Sequence, residues 1–500
     1  MPNNINLGLK LDVIRQVDSR LMSYNVEMTE VTGGTFWKAY TKGQVQGTEE
    51  FPPIRSMADM GGIMQVYPPI DLYNEKLRKL AKEFGPVWVR VSGTWATKTY
   101  YDFDGSTNGV APAGYQSVLT KQQWIGVLDF CKAINAKLLV SVNNCEGLHK
   151  ANEPWHPTQA KLLFETAKEH GVAIEAAEFM NEPNMLAFSG APMGYTAKDY
   201  VRDQDLFIKW VRENYPEVLL VGPCTVAMEA SREEGFELNA GGIVGLMGDN
   251  CTTEQLMEGA KQKFDVYSYH YYNGISDRLA SVVPSMHWDP SRTLSEAYLK
   301  VAPLSAKASA PQRDKYVPNG QMWVTESGDA GGGGNSWAST FMDVFRTLNE
   351  LGTFATITDG IIFHNTLASS AYGFLEHGSF DPRPNYFAVL LWTKLMGETV
   401  YNTNEPIREG VHVFAHSRKD GKDGVAYLII NNSHEEKTTV KLPKEAEVYV
   451  LSADHIRSEV MLLNGRELVL DEHNNLPDLS GEKVVDSLTL EPETCAFIVL

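Results

Sequence analysis

From about Ser23 to about Thr399 the chain alternates short β-branched and aromatic runs with longer stretches whose apolar residues recur at helical spacing. The runs are Met22–Met28, Val87–Ser92, Lys137–Asn143, Ala173–Asn181, Val218–Gly222, Phe264–Tyr272, Met322–Glu326 and Asp359–Asn365. Strand-length runs with amphipathic segments between them predict repeated βα units on a parallel sheet. Eight such units are the number that closes a (β/α)8 barrel, whereas an open doubly wound sheet usually has fewer. A helix is predicted over Thr120 to Ala136, with Trp124, Val127, Leu128 and Cys131 on one face. Another follows the capping box Thr196-x-x-Asp199, and Gly171 and Gly352 stand where helix C-caps are expected. The stretches Gly43–Pro69 and Asp104–Ser117 read as long insertions at the barrel mouth, a place where loops bind or gate.

After about Tyr401 the period changes. Val411–Ser417, Val425–Asn431, Thr438–Leu442, Ala446–Ser452, Glu467–Leu470 and Ser487–Leu490 are short runs separated by Asp420-Gly421, Asp423-Gly424 and Asn464-Gly465. These dipeptides are hairpin turns, so the pattern predicts an antiparallel sandwich. Ile5 to Val17 is also strand-like and precedes the first barrel run. The expected organisation is therefore a first sandwich strand in residues 1–17, a catalytic barrel over 18–400 and the rest of the sandwich over 401–500.

Composition narrows the function. With 44 basic against 63 acidic residues the net charge is −19, which argues against a nucleic acid partner. No run approaches the roughly 20 apolar residues of a membrane helix, and the opening ten residues lack the apolar core of a signal peptide, so the chain reads as soluble with no membrane partner. Five scattered cysteines, Cys131, Cys145, Cys224, Cys251 and Cys495, form no Cys-x-x-Cys pair and read as core residues. No cofactor or metal is called for. There is no His-Glu-x-x-His, and His412 and His416 lie four residues apart on a predicted strand, about 13 Å and too far to share an ion.

In a barrel of this type the reacting groups sit at the carboxyl ends of strands. Glu182 follows the fourth run, in Asn181-Glu182-Pro183-Asn184, and Glu326 ends the seventh, in Trp323-Val324-Thr325-Glu326-Ser327. Either alone has an ordinary structural reading, as a loop start or a helix cap. Together they are two carboxyls on strands that face one another across a barrel mouth, the minimal equipment for glycoside hydrolysis. Asn181, just before Glu182, carries an amide able to hydrogen-bond a sugar hydroxyl.

These segments resemble known sequences. Asn181-Glu182-Pro183-Asn184 is similar to the acid/base motif of clan A glycoside hydrolases. Trp323–Ser327 followed by Gly331–Gly334 resembles the nucleophile segment of glycoside hydrolase family 79, the heparanases, exo-β-glucuronidases and leech-type hyaluronidases. Arg90-Val91-Ser92-Gly93-Thr94, Tyr269-His270-Tyr271-Tyr272-Asn273-Gly274, Asp381-Pro382-Arg383-Pro384-Asn385-Tyr386 and Met461–Leu468 are similar to further segments of that family.

The resemblance implies a retaining β-glucuronidase with Glu182 as acid/base and Glu326 as nucleophile. It implies that the amides of Gly332 and Gly333 and the hydroxyl of Tyr372 hold the uronate carboxylate, and a glycine turn is a reasonable anion nest. It also implies a tyrosine beside the nucleophile, expected at Tyr271 with Tyr269 as the other candidate on that face. Glu27 stands where heparanases have aspartate, and Thr94 and Asn143, with Asn144, are further candidates for sugar contacts. The expected substrate is a carbohydrate containing a uronic acid. With no evident cationic cluster for a sulfated chain, and insertions able to wall off one end of the cleft, exo action is expected. Endo cleavage of heparanase or hyaluronidase type, and an inactive barrel that only binds carbohydrate, are the alternatives.

Overall fold

The computed structural model describes residues 3–226 and 251–500; Met1 and Pro2, at the head of the expected first sandwich strand, lie outside them. Eight parallel strands close a barrel: β1 (Met22–Glu27), β2 (Val87–Ser92), β3 (Ala136–Ser141), β4 (Ala176–Glu178), β5 (Leu219–Val226), β6 (Val266–Ile275), β7 (Gln321–Gly331) and β8 (Ile362–His364). Each strand pairs with its neighbours in sequence, and β8 returns to β1. The helices expected after Thr120 and Thr196 form as Lys121–Ala133 and Ala197–Asn214, each opened by its capping box.

Strand parity sorts the interior into layers. Trp88, Leu139, Val221, Val266, Trp323 and Phe363 form an apolar floor. Above it, Arg90, Ser141, Glu178 and His270 are buried and polar. The chemistry is thereby confined to the carboxyl-end mouth.

Two strands depart from their apolar pattern. The β4 ladder stops at Glu178, and Phe179, part of the predicted run, instead packs outward against Trp155 and Phe207. In β7 the register slips: Tyr269 faces Val324, but the next residue, His270, faces Glu326. Trp323 points into the floor, so strict alternation would turn Glu326 outward. The extra residue at Thr325 is a bulge that turns it inward.

The stretch from Gly43 to Pro69 is less irregular than expected. It holds short helices at Lys42–Val45 and Met57–Met60 and a strand, Met64–Tyr67, paired antiparallel with Gly34–Trp37. The partner strand lies ahead of the stretch, so the hairpin left no local signature. In the second insertion, Ser117–Thr120 pairs parallel with Thr99–Asp102.

Both chain ends build the sandwich, a nine-stranded sheet facing a three-stranded one. Val13–Gln16 pairs with Met396–Tyr401 at an edge of the large sheet, so the sandwich draws on residues ahead of 401. Asn3–Asn6 joins the small sheet parallel to Thr438–Lys441 rather than antiparallel. No tight turn links those two strands, so nothing imposes the antiparallel direction.

Gly171 follows helix Ala160–Glu169 with φ 71°, as a C-cap glycine should. Gly352 does not end a helix. It lies within Met342–Ile357, a helix wedged between barrel and sandwich, where an added Cβ would meet the ring of Phe414 at 2.4 Å. A glycine is needed there because the sandwich strand His412–Arg418 crosses directly over the helix. Gly352→Val should therefore destabilise the protein by about 1–3 kcal/mol through overpacking. The check is the midpoint of denaturant unfolding, and a midpoint equal to the parent's would show that the sandwich can ride outward on the helix.

Candidate active site

The site begins at β2. Arg90 points into the barrel and is completely buried. Its Nε and Nη2 donate to Glu178 Oε1 at 3.0 and 2.6 Å, Nη1 donates to Glu326 Oε1 at 2.8 Å, and Nη2 also reaches Asn181 Oδ1 at 2.8 Å. Glu178 additionally accepts from Ser92 Oγ. One guanidinium thus ties together β2, β4, β7 and the loop that carries Glu182.

Glu182 lies just past β4 in the left-handed region, φ 47° and ψ 54°, as N-cap of the turn Pro183–Met185. A non-glycine residue rarely takes that conformation. It is held by Ser189 Oγ donating to the Glu182 carbonyl and by Asn184, whose side chain bonds both backbone groups of Val226. The Glu182 carboxyl meets His270 Nδ1 at 3.0 Å through Oε1. Arg90 Nη2 stands 3.4 Å from His270 Nε2 and can only donate, so the ring proton belongs on Nδ1 and points at Glu182.

Glu326 is reached from the opposite wall. Tyr272 Oη donates to its Oε2 at 2.7 Å, and Asn365 Nδ2 in turn donates to the hydroxyls of Tyr272 and Tyr372, each at 3.1 Å. Ligating atoms of Glu182, His270 and Glu326 all lie within 4.8 Å of one another. Among the described residues this is also the one grouping close enough to hold a cation, but Arg90 against Glu326 opposes one. The spacing instead suits two carboxyls that work on a single carbon.

Electrostatics separates the pair. Burial pushes the Glu182 carboxyl above the usual range and the neighbouring Glu326 charge adds to this, with His270 only partly opposing. Burial acts on Glu326 in the same sense, but His270, Arg90 and the hydrogen bonds from Tyr272 and Arg90 outweigh it and hold Glu326 below the usual range. The two carboxyls are thereby pushed in opposite directions by their surroundings.

The remaining expected residues divide into two groups. Asn181 is buried at the centre; its Oδ1 is committed to Arg90, while its Nδ2 has no protein acceptor and is left for a ligand. Gly332 and Gly333 form a turn with φ 87° at each. An added Cβ on Gly333 would strike Trp37 and Ser370 at 2.6 Å. Tyr372 stacks beside Tyr272, and its hydroxyl accepts from Asn365, so its own proton is uncommitted. Glu27 ends β1 with Oε2 buried and unpartnered, and Gly93 must be glycine because a Cβ would fall on that oxygen. Burial, then Glu326 and Glu30, push Glu27 well above the carboxylate range.

The others show no hydrogen bond to Glu182 or Glu326. Tyr271, expected on the nucleophile, donates instead to Glu350 Oε1 on the helix outside the barrel, and Tyr269 lies beside it with its hydroxyl unpartnered. Because His270 faces Glu326, the inward residues of β6 are Ser268, His270 and Tyr272, and the odd-numbered tyrosines face the helices. Tyr272 therefore takes the role expected of Tyr271. The small Ser268 among bulky tyrosines was the available sign of that parity. Asn143 spends its Nδ2 on the Thr99 carbonyl and supports a loop, and Asn144 bonds Met180 and His149. Thr94 is half-buried in the turn after β2. Arg90, His270 and Asn365 carry site geometry that the sequence assigned to none of them.

The chain is similar to known proteins along most of its length. Residues 65–352 match the model described as glycosyl hydrolase family 79, N-terminal domain. Heparanase-like protein 1 of Arabidopsis thaliana is 25% identical over 486 residues, covering 86% of this chain and 85% of that protein. The hyaluronoglucuronidase of Hirudo nipponia is 23% identical, covering 86% and 90%. Among solved structures, a 4-O-α-L-rhamnosyl-β-D-glucuronidase from Fusarium oxysporum superposes with a TM-score of 0.65 at 12% identity, covering 99% of this chain and all of that one, a likeness of fold. With more than half of its length matched by the family model, and two carboxyls of opposite tendency, one just past the fourth barrel strand and one within the seventh rather than at its end as expected, this chain belongs to glycosyl hydrolase family 79.

Proposed function

We propose that the protein is a retaining exo-β-glucuronidase. The observation that carries the reading is the setting of the acid pair: Glu182 and Glu326 stand beside a corner whose free donors, the Gly332–Gly333 turn and Tyr372, suit a sugar carboxylate. The ionised Glu326 attacks the anomeric carbon as the glycosidic C–O bond breaks, and Glu182 gives its proton to the leaving oxygen. The glycosyl ester that results carries no charge on Glu326. Its contribution to raising Glu182 then disappears, and Glu182 becomes the base that takes a proton from the water that hydrolyses the ester. His270 and Tyr272 hold the two carboxyls apart and in place throughout.

Exo action is supported by what covers the far side of the uronate corner. Trp37, from the hairpin of Gly34–Trp37 and Met64–Tyr67, lies against Gly333, and Tyr40 donates to the Gly334 carbonyl. A chain continuing past the uronate would run into this wall. The names of relatives, a hyaluronoglucuronidase and a baicalin-β-D-glucuronidase of Scutellaria baicalensis, agree with a glucuronide substrate.

Three outcomes are expected. Proton NMR of the first-formed sugar from a β-glucuronide should show the β-anomer, and an α-anomer would refute double displacement. On nitrophenyl β-glucuronide, kcat/KM should fall at acid pH as Glu326 is protonated and at alkaline pH as Glu182 loses its proton. Glu182→Gln should remove the alkaline limb while retaining activity on this good leaving group, whereas Glu326→Gln should be inactive at every pH. Tyr372→Phe should lower kcat/KM by about 10- to 100-fold for the glucuronide, the worth of one hydrogen bond to a charged group. The matching glucoside should be affected far less, and an equal loss on both would remove Tyr372 from the uronate corner.

A further inference from the structure

The Tyr372 hydroxyl is linked to Glu326 through Asn365 and Tyr272, so a sugar carboxylate held there adds a charge close to a carboxyl held below its usual range and needs an offsetting one. Neither the Gly331–Ser336 segment nor Leu367–Phe374 contains a Lys or Arg. The fold brings one from elsewhere. Arg278, in the turn after β6, is buried, and its Nη1 donates to the carbonyls of Gly332 and Gly334, each at 3.0 Å. Its Nη2 donates to the Lys38 carbonyl at 2.8 Å, and its guanidinium lies 3.7 Å over the Tyr40 ring.

All of these partners are neutral. Among the described residues no carboxylate forms an ion pair with Arg278. The adjacent Asp277 is turned away, its oxygens taken by His287 Nε2 and the Ser336 amide. Asp329, under the same turn, accepts from the Asn335 amide, and burial followed by Asp343 pushes it up to about 8. The contrast with Arg383 is informative. Arg383 grips the carbonyls of Ser370, Ala371 and Gly373 in the Tyr372 segment, yet Glu376 neutralises it. Both arginines hold a binding segment by its backbone, and only Arg278 does so with its charge uncancelled.

The peptide between Gly332 and Gly333 explains what that charge can do. In a trans peptide the carbonyl and the amide N–H point in opposite directions. Arg278 grips the Gly332 carbonyl, so the Gly333 N–H of the same peptide points away from the guanidinium. A charge-assisted bond on one end of a peptide strengthens donation from the other. We propose that Arg278 is a positioning residue that determines specificity for uronic acids: from behind the Gly332–Gly333 peptide it orients and polarises the amide that receives the sugar carboxylate, and it offsets that carboxylate's charge. This rests on the glucuronidase reading above and adds to it a residue that does not touch substrate.

The sugar carboxylate is equally charged in the ground state and the transition state, so losing Arg278 should appear in KM and leave kcat nearly unchanged. The experiment measures kcat and KM of the parent, Arg278→Gln and Arg278→Lys on nitrophenyl β-glucuronide and β-glucoside. The parent comes first: no preference for the glucuronide would overturn the functional reading, and the role of Arg278 with it. Given that preference, Arg278→Gln should reduce the glucuronide-to-glucoside ratio of kcat/KM by about 10-fold or more, mostly through KM, and Arg278→Lys, which keeps the charge but not the fork, should reduce it by less. Equal losses on both sugars, or a loss residing in kcat, would refute the proposal and leave the functional reading standing. If Arg278→Gln does not fold, Arg278→Lys decides alone: a fall in the ratio carried by KM supports the proposal, and an unchanged ratio or a loss residing in kcat refutes it.

Discussion

The guanidinium of Arg90, buried in the barrel with Glu178 and Glu326 against it, is the interaction on which the site depends. A charge so placed is costly to desolvate and tolerable only when its donors find partners. Its partners come from three different barrel segments and include Asn181, next to the acid. Together with His270, Arg90 and Tyr272 lower Glu326, and Arg90 and Tyr272 touch Glu326 and not Glu182; this asymmetry breaks the equivalence of the two carboxyls. Without it, two buried acids this close would share one proton with no fixed owner.

Placing those acids requires the backbone to leave its regular course twice. The bulge at Thr325 turns Glu326 into the barrel, and the left-handed conformation of Glu182 brings it back over the mouth after β4 has ended. Neither distortion stands alone. Asn25 Nδ2 donates to the Thr325 carbonyl, and Ser189 and Asn184 brace the loop of Glu182. Strain of this type persists where surrounding bonds over-determine the geometry, and here those bonds surround the reacting groups.

Outside the barrel, arginines do a second kind of work. Arg346 pairs with Asp343 and Glu350 on the helix Met342–Ile357, and Glu350 receives the Tyr271 hydroxyl. That network bonds the outward face of β6 to the helix pressed between barrel and sandwich. On the sandwich side, Arg457 donates to the Val45 carbonyl in the segment that covers the uronate corner. The sandwich thereby supports the barrel-top insertion as well as the barrel wall. The smaller domain and the insertion act as parts of one enclosure around the Gly332–Gly334 turn.

The sequence by itself determined the barrel and the two-ended sandwich, and it singled out Glu182, Glu326, Gly332, Gly333 and Tyr372 as candidates. Period and turn chemistry are local, and a short motif can be read without its distant partners. Tertiary structure decided which face of β6 looks inward, since tyrosines stand on both faces of Tyr269–Tyr272, and it decided that Glu326 faces the mouth, since a single bulge at Thr325 resets parity within β7. It likewise decided the roles of Arg90, His270, Asn365 and Arg278. Their meaning lies in partners tens to hundreds of residues away, and a charge acquires its worth only from what is buried around it.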